Sequence, residues 1–213
     1  SHPDMLGSCL LMAMAVDGEN EAIKNDLGVA YLQQQRMKEA YRQFRSAEQI
    51  RPGFPPTRFN LALCAISDHN PAFAVRLLGQ YLGLRPTDTT ALRLQAHLLS
   101  QLGRSEEALR MLEKFLNHQP PDQPLFLDAA GLAARLNQHG NALRNLDTAL
   151  NGNSIQTVAR MYQSAAFRDI RLSGEGDALA ARIANKARAA FGTPVAPDEI
   201  QPLRATVPDA KVR

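Results

Sequence analysis

The stretch "NDLGVAYLQQQRMKEAYRQFRSAEQIRP" (residues 25–52) decides the fold of this chain. It holds two segments in which small and apolar side chains recur every three to four residues, separated by a short polar run. That period is typical of helices that bury one face. Ala40, Phe44 and Pro52 within the stretch have counterparts further along the chain, which indicates that the stretch is one copy of a repeated unit.

The copies are spaced by 34 residues, as the series Ala40, Ala74, Ala108 and Ala142 shows. Large apolar residues follow four positions after these alanines, and in the first three copies a proline follows twelve positions after the alanine. These further series are Phe44, Leu78, Leu112 and Leu146, and Pro52, Pro86 and Pro120. One alanine series can arise by chance in an alanine-rich chain, whereas several series in one phase indicate a true internal repeat.

The period and the residue types resemble the tetratricopeptide repeat, a pair of helices that stacks on its neighbours. Residues 25–52 match its pattern and depart from it at Lys24, where the family has an aromatic residue. The matching residues are Leu27, Gly28, Tyr31, Ala40, Phe44, Ala47 and Pro52. The resemblance implies an all-α fold, a right-handed α-solenoid of antiparallel helix pairs. We expect the small residues to lie where the two helices of a unit approach closely, so Ala74→Leu or Ala108→Leu should overpack that contact.

The repeat phase also predicts the organisation of the chain. Residues 1–20 form an N-terminal helix, a half repeat or cap, whose start we interpret as a vector remnant or a trimmed precursor. Residues 21–156 hold four repeats (21–54, 55–88, 89–122 and 123–156). Residues 157–191 form a degenerate repeat or capping helix pair, with helices over 155–172 and 177–191. Residues 192–213 form a proline-rich extended tail that we expect to lie against its own superhelix or a neighbouring molecule.

Composition argues against several classes of protein. The 24 basic and 21 acidic residues leave a formal net charge of +3, which is too balanced for a nucleic-acid binder. Arg182, Lys186 and Arg188 are interpreted as a solvated helix face, in preference to a nucleic-acid or membrane patch. No uncharged apolar run approaches the roughly 20 residues of a membrane span. Cys9 and Cys64 are interpreted as two buried small side chains.

No catalytic arrangement stands out in the sequence. The five histidines do not pair at helical spacing, so we expect no metal site. A glycine-rich phosphate loop and a nucleophile elbow are both missing from the sequence. We therefore expect no cofactor and no enzymatic activity.

The resemblance implies a concave groove lined mainly by the first helix of each unit. Carried over residue by residue, it gives a candidate site for a partner. The site residues are Asn25, Val29, Leu32 and Gln33 in the first unit, Phe59, Leu63 and Ile66 in the second, Arg93, His97 and Gln101 in the third, and Arg135 in the fourth. The first half is apolar and the second half is polar and mildly basic. The pattern predicts a partner segment with apolar side chains and some acidic character.

The first hypothesis is a non-enzymatic scaffold that holds a protein or peptide segment in this groove. The style of the repeats is bacterial, and in bacteria the resemblance implies secretion, pilus or envelope assemblies, in the cytoplasm or the periplasm. The alternative is a structural protein that self-associates into homo-oligomers through its repeat ends or through its tail. The carboxylate-binding subtype of the family matches the chain only at Asn60, which argues against a chaperone-tail site.

Overall fold

The computed structural model describes residues 18–118 and 123–191, together with residues 8, 12 and 15. These residues hold eleven α-helices and one 3-10 helix (Ala165–Phe167), and no β-strand is found among them. The helices are α1 (Glu21–Gln33), α2 (Met37–Ile50), α3 (Pro55–Ser67), α4 (Pro71–Leu84), α5 (Thr89–Gln101), α6 (Ser105–Leu116), α7 (Gln123–Arg135), α8 (His139–Ala149), α9 (Ile155–Gln163), α10 (Arg168–Ser173) and α11 (Asp177–Phe191). The expected all-α repeat fold is confirmed. The expected helix over most of residues 1–20 and the tail at 192–213 lie outside the described residues.

The chain folds as two compact units, one up to Arg104 and one from Ser105 onward. The first unit holds α1 to α5 and the second holds α6 to α11. The division falls inside the third repeat expected from the sequence, between the helices of that repeat.

The small residues of the repeat lie at tight helix contacts. Ala40, Ala74, Ala108 and Ala142 are all 0% exposed, as are the large apolar residues four positions later. Helices α1 and α2 of the first unit pack closely at Gly28. A Cβ atom added to Gly28 would lie 2.4 Å from Cε1 of Phe44, so only glycine fits there without a shift of the ring.

The turn after the first helix of each expected repeat has one backbone conformation. Gln35, His69, Gly103 and Asn137 have φ angles of 59°, 54°, 75° and 57°, in the left-handed region. These positions are 34 residues apart. In each turn the following amide donates to the carbonyl oxygen five residues back, for example Arg36 N to Tyr31 O at 2.9 Å. This hydrogen bond closes a loop of six residues. It satisfies a carbonyl oxygen at the helix end, and the left-handed residue ends the helix.

In the second unit, the helix expected over 155–172 is broken at Ser164. Helix α9 ends at Gln163, Ser164 is extended (φ −62°, ψ 162°), and the chain continues through the 3-10 helix into α10. The buried guanidinium of Arg171 donates to the carbonyl oxygens of Tyr162 and Ser164, the latter at 3.0 Å. Because Arg171 supplies donors to carbonyls that a continuous helix would have bonded internally, the break leaves those groups satisfied.

Arg182, Lys186 and Arg188 of α11 are exposed, as expected for a solvated face, and two of them also contact α8 or the residues after it. Arg182 donates to the carboxylate of Asp147. Nζ of Lys186 donates to the backbone oxygen of Leu150 at 2.8 Å, at the carboxyl end of α8. A cation in that position complements the helix dipole, so the ammonium of Lys186 supports the end of α8 from an exposed position.

Candidate functional site

Five apolar residues of the candidate site form what we call the apolar stripe, Val29 and Leu32 on α1 and Phe59, Leu63 and Ile66 on α3. Within each helix they are spaced by three or four residues, so each set lies on one helix face. All five side chains are partly exposed, whereas neighbours such as Leu27 and Leu61 are 2% and 3% exposed. The stripe is therefore apolar surface beside the core.

Asn25 joins the two helices that carry the stripe. Its Oδ1 atom accepts hydrogen bonds from Nδ2 of Asn60 at 2.9 Å and from Oγ1 of Thr57 at 3.4 Å. Asn25 is 6% exposed, and so it fixes α1 against α3 instead of offering an open contact to a partner. The sequence predicted the position of Asn25 in the site, and the structure gives it this supporting role. Gln33, the last residue of α1, is exposed.

Phe59 is positioned by two residues that were not predicted as part of the site. Its ring packs on Tyr81 of α4 with centroids 5.3 Å apart. Oη of Tyr81 donates to Oδ2 of Asp88 at 2.6 Å, while Oδ1 of Asp88 accepts from the amide of Ala91 and caps α5. Burial, followed by the hydrogen bond to Asp88, raises the pKa of Tyr81 to about 12. The sequence does offer one signal for this contact. Tyr81 occupies an apolar position of the repeat, and Asp88, at the start of the next helix, closes an eight-residue span with it.

The polar residues predicted on α5 share one exposed face. Arg93, His97 and Gln101 are spaced by four residues, and Nε2 of Gln101 lies 3.0 Å from Nε2 of His97. The opposite face of α5 is held by Gln95, whose Nε2 donates to the backbone oxygen of Val75 at 3.1 Å. Ten of the predicted residues, from Asn25 to Gln101, therefore lie on three helices of the first unit, α1, α3 and α5.

Arg135, the remaining predicted residue, ends α7 in the second unit and is exposed. It lines a cleft of about 510 Å³ between the end of α7 and the residues that follow the break at Ser164. The other lining residues are Ala134, Asn137, Ser164, Ala165, Ala166 and Asp169.

The described residues offer little of the chemistry that an enzyme requires. They contain no group of three or more histidine, cysteine or acidic side chains that could hold a metal ion. Cys64 is a buried free thiol, as expected, and burial raises its pKa to about 11, which disfavours the reactive thiolate. Cys9 lies outside the described residues. Within residues 18–118 and 123–191, every helix is too short or too polar to cross a membrane.

Comparison with known proteins gives a fold assignment. No protein-family model and no curated protein matches the chain by sequence. Among solved structures, YrrB, described as a TPR protein with an unusual peptide-binding site, matches with a TM-score of 0.67 and 11% identity over 86% of this chain and 92% of its own. MamA from Desulfovibrio magneticus RS-1 matches with a TM-score of 0.62 and 15% identity over 79% and 93% of the two chains.

PilF from Pseudomonas aeruginosa matches with a TM-score of 0.61 and 16% identity over 86% of this chain and 82% of its own. Identities this low establish the fold alone. The 34-residue period, the buried alanines at the helix contacts and these structural matches agree with one another. The chain therefore has the all-α repeat fold of tetratricopeptide-repeat proteins.

Proposed function

We propose that the chain is a protein-interaction scaffold whose first unit binds an apolar segment of a partner on the apolar stripe. The observation that carries the proposal is the stripe itself, five partly exposed apolar side chains on two helices held together by Asn25. Apolar surface gathered on one face of a folded protein marks a binding site more often than scattered apolar residues do. The description of YrrB as having a peptide-binding site supports a segment, rather than a small molecule, as the ligand.

The polar face of α5 extends the proposed site. Arg93 and His97 are exposed on α5 of the same unit, and acidic side chains in the partner segment are proposed to pair with them. The assembly that such a scaffold serves is proposed to be a bacterial secretion, pilus or envelope machine, with PilF as the supporting structural likeness.

The test compares two substitutions of the same chemistry. Leu63→Glu places a charge inside the stripe, whereas Leu84→Glu places it on an apolar residue outside the stripe that is 50% exposed. Random peptides displayed on phage are selected on the wild-type chain, and the Kd of selected peptides is measured by fluorescence anisotropy. Burial of one leucine contributes about 1.5–3 kcal/mol, so Leu63→Glu should raise Kd tenfold or more. Leu84→Glu should leave it unchanged.

Two results would contradict the proposal. One is a selection that yields no peptide enriched in apolar residues. The other is an equal loss of affinity in both variants. If sedimentation instead shows a homo-oligomer that Leu63→Glu alone dissociates, the occupant of the stripe is a second copy of this chain, which is the structural alternative.

A further inference from the structure

The cleft at the break in the second unit is lined by two side chains of opposite charge that form no ion pair within the described part of the chain. Arg135 lies on α7 and Asp169 on α10, and neither forms an ion pair with another described residue. Arg135 ends α7 and Asp169 lies in the first turn of α10. Each charge complements the dipole of its own helix, and this effect leaves the hydrogen-bonding groups of both side chains available.

Ser164, where the break occurs, is one of the lining residues of the cleft. Its Oγ atom is buried and has no hydrogen-bond partner among the described residues. A buried hydroxyl without a partner carries a desolvation cost, which the break imposes on this part of the chain. Ala134, Ala165 and Ala166 add apolar methyl groups to the same walls.

The cleft exists because the repeat is interrupted. If α9 continued without a break, its next turn would follow the helix axis past Ser164 instead of turning into the 3-10 helix. Arg171 holds the break open by bonding the carbonyl oxygens of Tyr162 and Ser164. The cleft, of about 510 Å³, is open to solvent, so it suits side chains of a partner segment better than an enclosed small ligand.

We propose that this cleft is a second binding subsite, which takes an acidic and a basic side chain that are adjacent in a partner segment. The acidic group pairs with Arg135, and the basic group pairs with Asp169. A segment with two like charges would satisfy one wall and be repelled by the other. The subsite deepens the proposed scaffold function but uses no residue of the apolar stripe.

The experiment uses the full chain and four capped tetrapeptides with alanine at both ends. Their central pairs are Glu-Lys, Glu-Glu, Lys-Lys and Gln-Gln. Amide chemical shifts of Asn137, Ala165 and Ala166 are followed by ¹⁵N–¹H NMR as each peptide is added. The final peptide concentration is about 10 mM, which is about the weakest Kd expected for a single subsite. We expect saturable shifts with the Glu-Lys peptide and at least tenfold weaker binding of the other three.

Three substitutions complete the design. Two remove the exposed charges of the cleft, and one lies outside the cleft. Arg135→Gln and Asp169→Asn are each expected to weaken binding of the Glu-Lys peptide at least fivefold, whereas Leu84→Glu, outside both the stripe and the cleft, should leave it unchanged. Equal shifts with all four peptides, no saturable shift, or binding that survives both charge variants would overturn the proposal. Because the tetrapeptides carry no large apolar side chain for the stripe, failure of the stripe and failure of the cleft are distinguishable.

Discussion

Gly28→Ala is expected to destabilise the first unit, although alanine is the better helix former. The added Cβ atom would lie 2.4, 2.7 and 2.8 Å from three carbons of the Phe44 ring. Carbon atoms pack best at about 3.5–4.0 Å, so the ring must retreat by roughly 1 Å. Phe44 is 0% exposed, so a shift of its ring has to be accommodated within the core. Overpacking of this kind costs about 1–3 kcal/mol.

The matched control is Gly83→Ala. Gly83 lies in α4, is exposed, and a Cβ atom there would meet nothing within 4 Å. Both substitutions gain the helix preference of alanine, about 0.5–1 kcal/mol. We therefore expect Gly83→Ala to stabilise the protein slightly and Gly28→Ala to be less stable than Gly83→Ala by about 1–3 kcal/mol. Urea unfolding followed by circular dichroism measures the difference in midpoint.

A double-mutant cycle assigns the cost to the ring. Phe44→Leu removes the edge that the new methyl group would strike, so it should cost at least 1 kcal/mol less in the Gly28→Ala background than in the wild type. Equal stability of Gly28→Ala and Gly83→Ala would refute the close contact. So would a cycle in which the two substitutions at the contact are additive.

Three further outcomes are expected. Ala74→Leu or Ala108→Leu should lower the melting temperature by several degrees, because both alanines are 0% exposed, and an unchanged value would contradict the helix contacts. The raised pKa of Tyr81, about 12, means that the folded state keeps the phenol proton longer than the unfolded state. Stability should then fall as pH rises from about 10 toward 12, and Tyr81→Phe should reduce that slope in urea melts. In a Cys9→Ser background, Cys64 should react with a disulfide reagent only after unfolding, and rapid labelling of the native chain would contradict its burial.

The repeat could be predicted from the sequence because its signal is summed over several positions. Ala40 and Phe44 recur in phase, and each series marks the same buried contact. The break at Ser164 could not be predicted, because it depends on Arg171 reaching backward to carbonyl oxygens seven and nine residues away. Spacing rules describe neighbours three or four residues apart and miss contacts of this length.

Within the candidate site, the apolar residues were the easier part to predict. Phe59 and Leu63 follow from helical spacing alone. The role of Asn25 depended on which partners face it across the repeat, Thr57 and Asn60, and a single sequence does not reveal whether a polar residue is paired. Tyr81 acts through packing between helices, which has no fixed sequence interval.

The left-handed turns at Gln35, His69, Gly103 and Asn137 also mark equivalent positions in successive repeats, so the repeats can be aligned on them. One further step of 34 from Asn137 falls on Arg171, yet Arg171 is helical and the next left-handed residue is Gly174, with φ 77°. The expected repeat after residue 156 therefore reaches its left-handed residue three positions later than the first four repeats do. The 3-10 helix Ala165–Phe167, which precedes that residue, is also three residues long. An alignment of this chain with other repeat proteins needs a gap near Ser164. Without that gap, every residue after Ser164 would be assigned the wrong position in the repeat. This is one reason why a sequence pattern built on uninterrupted 34-residue repeats would not match the end of this chain.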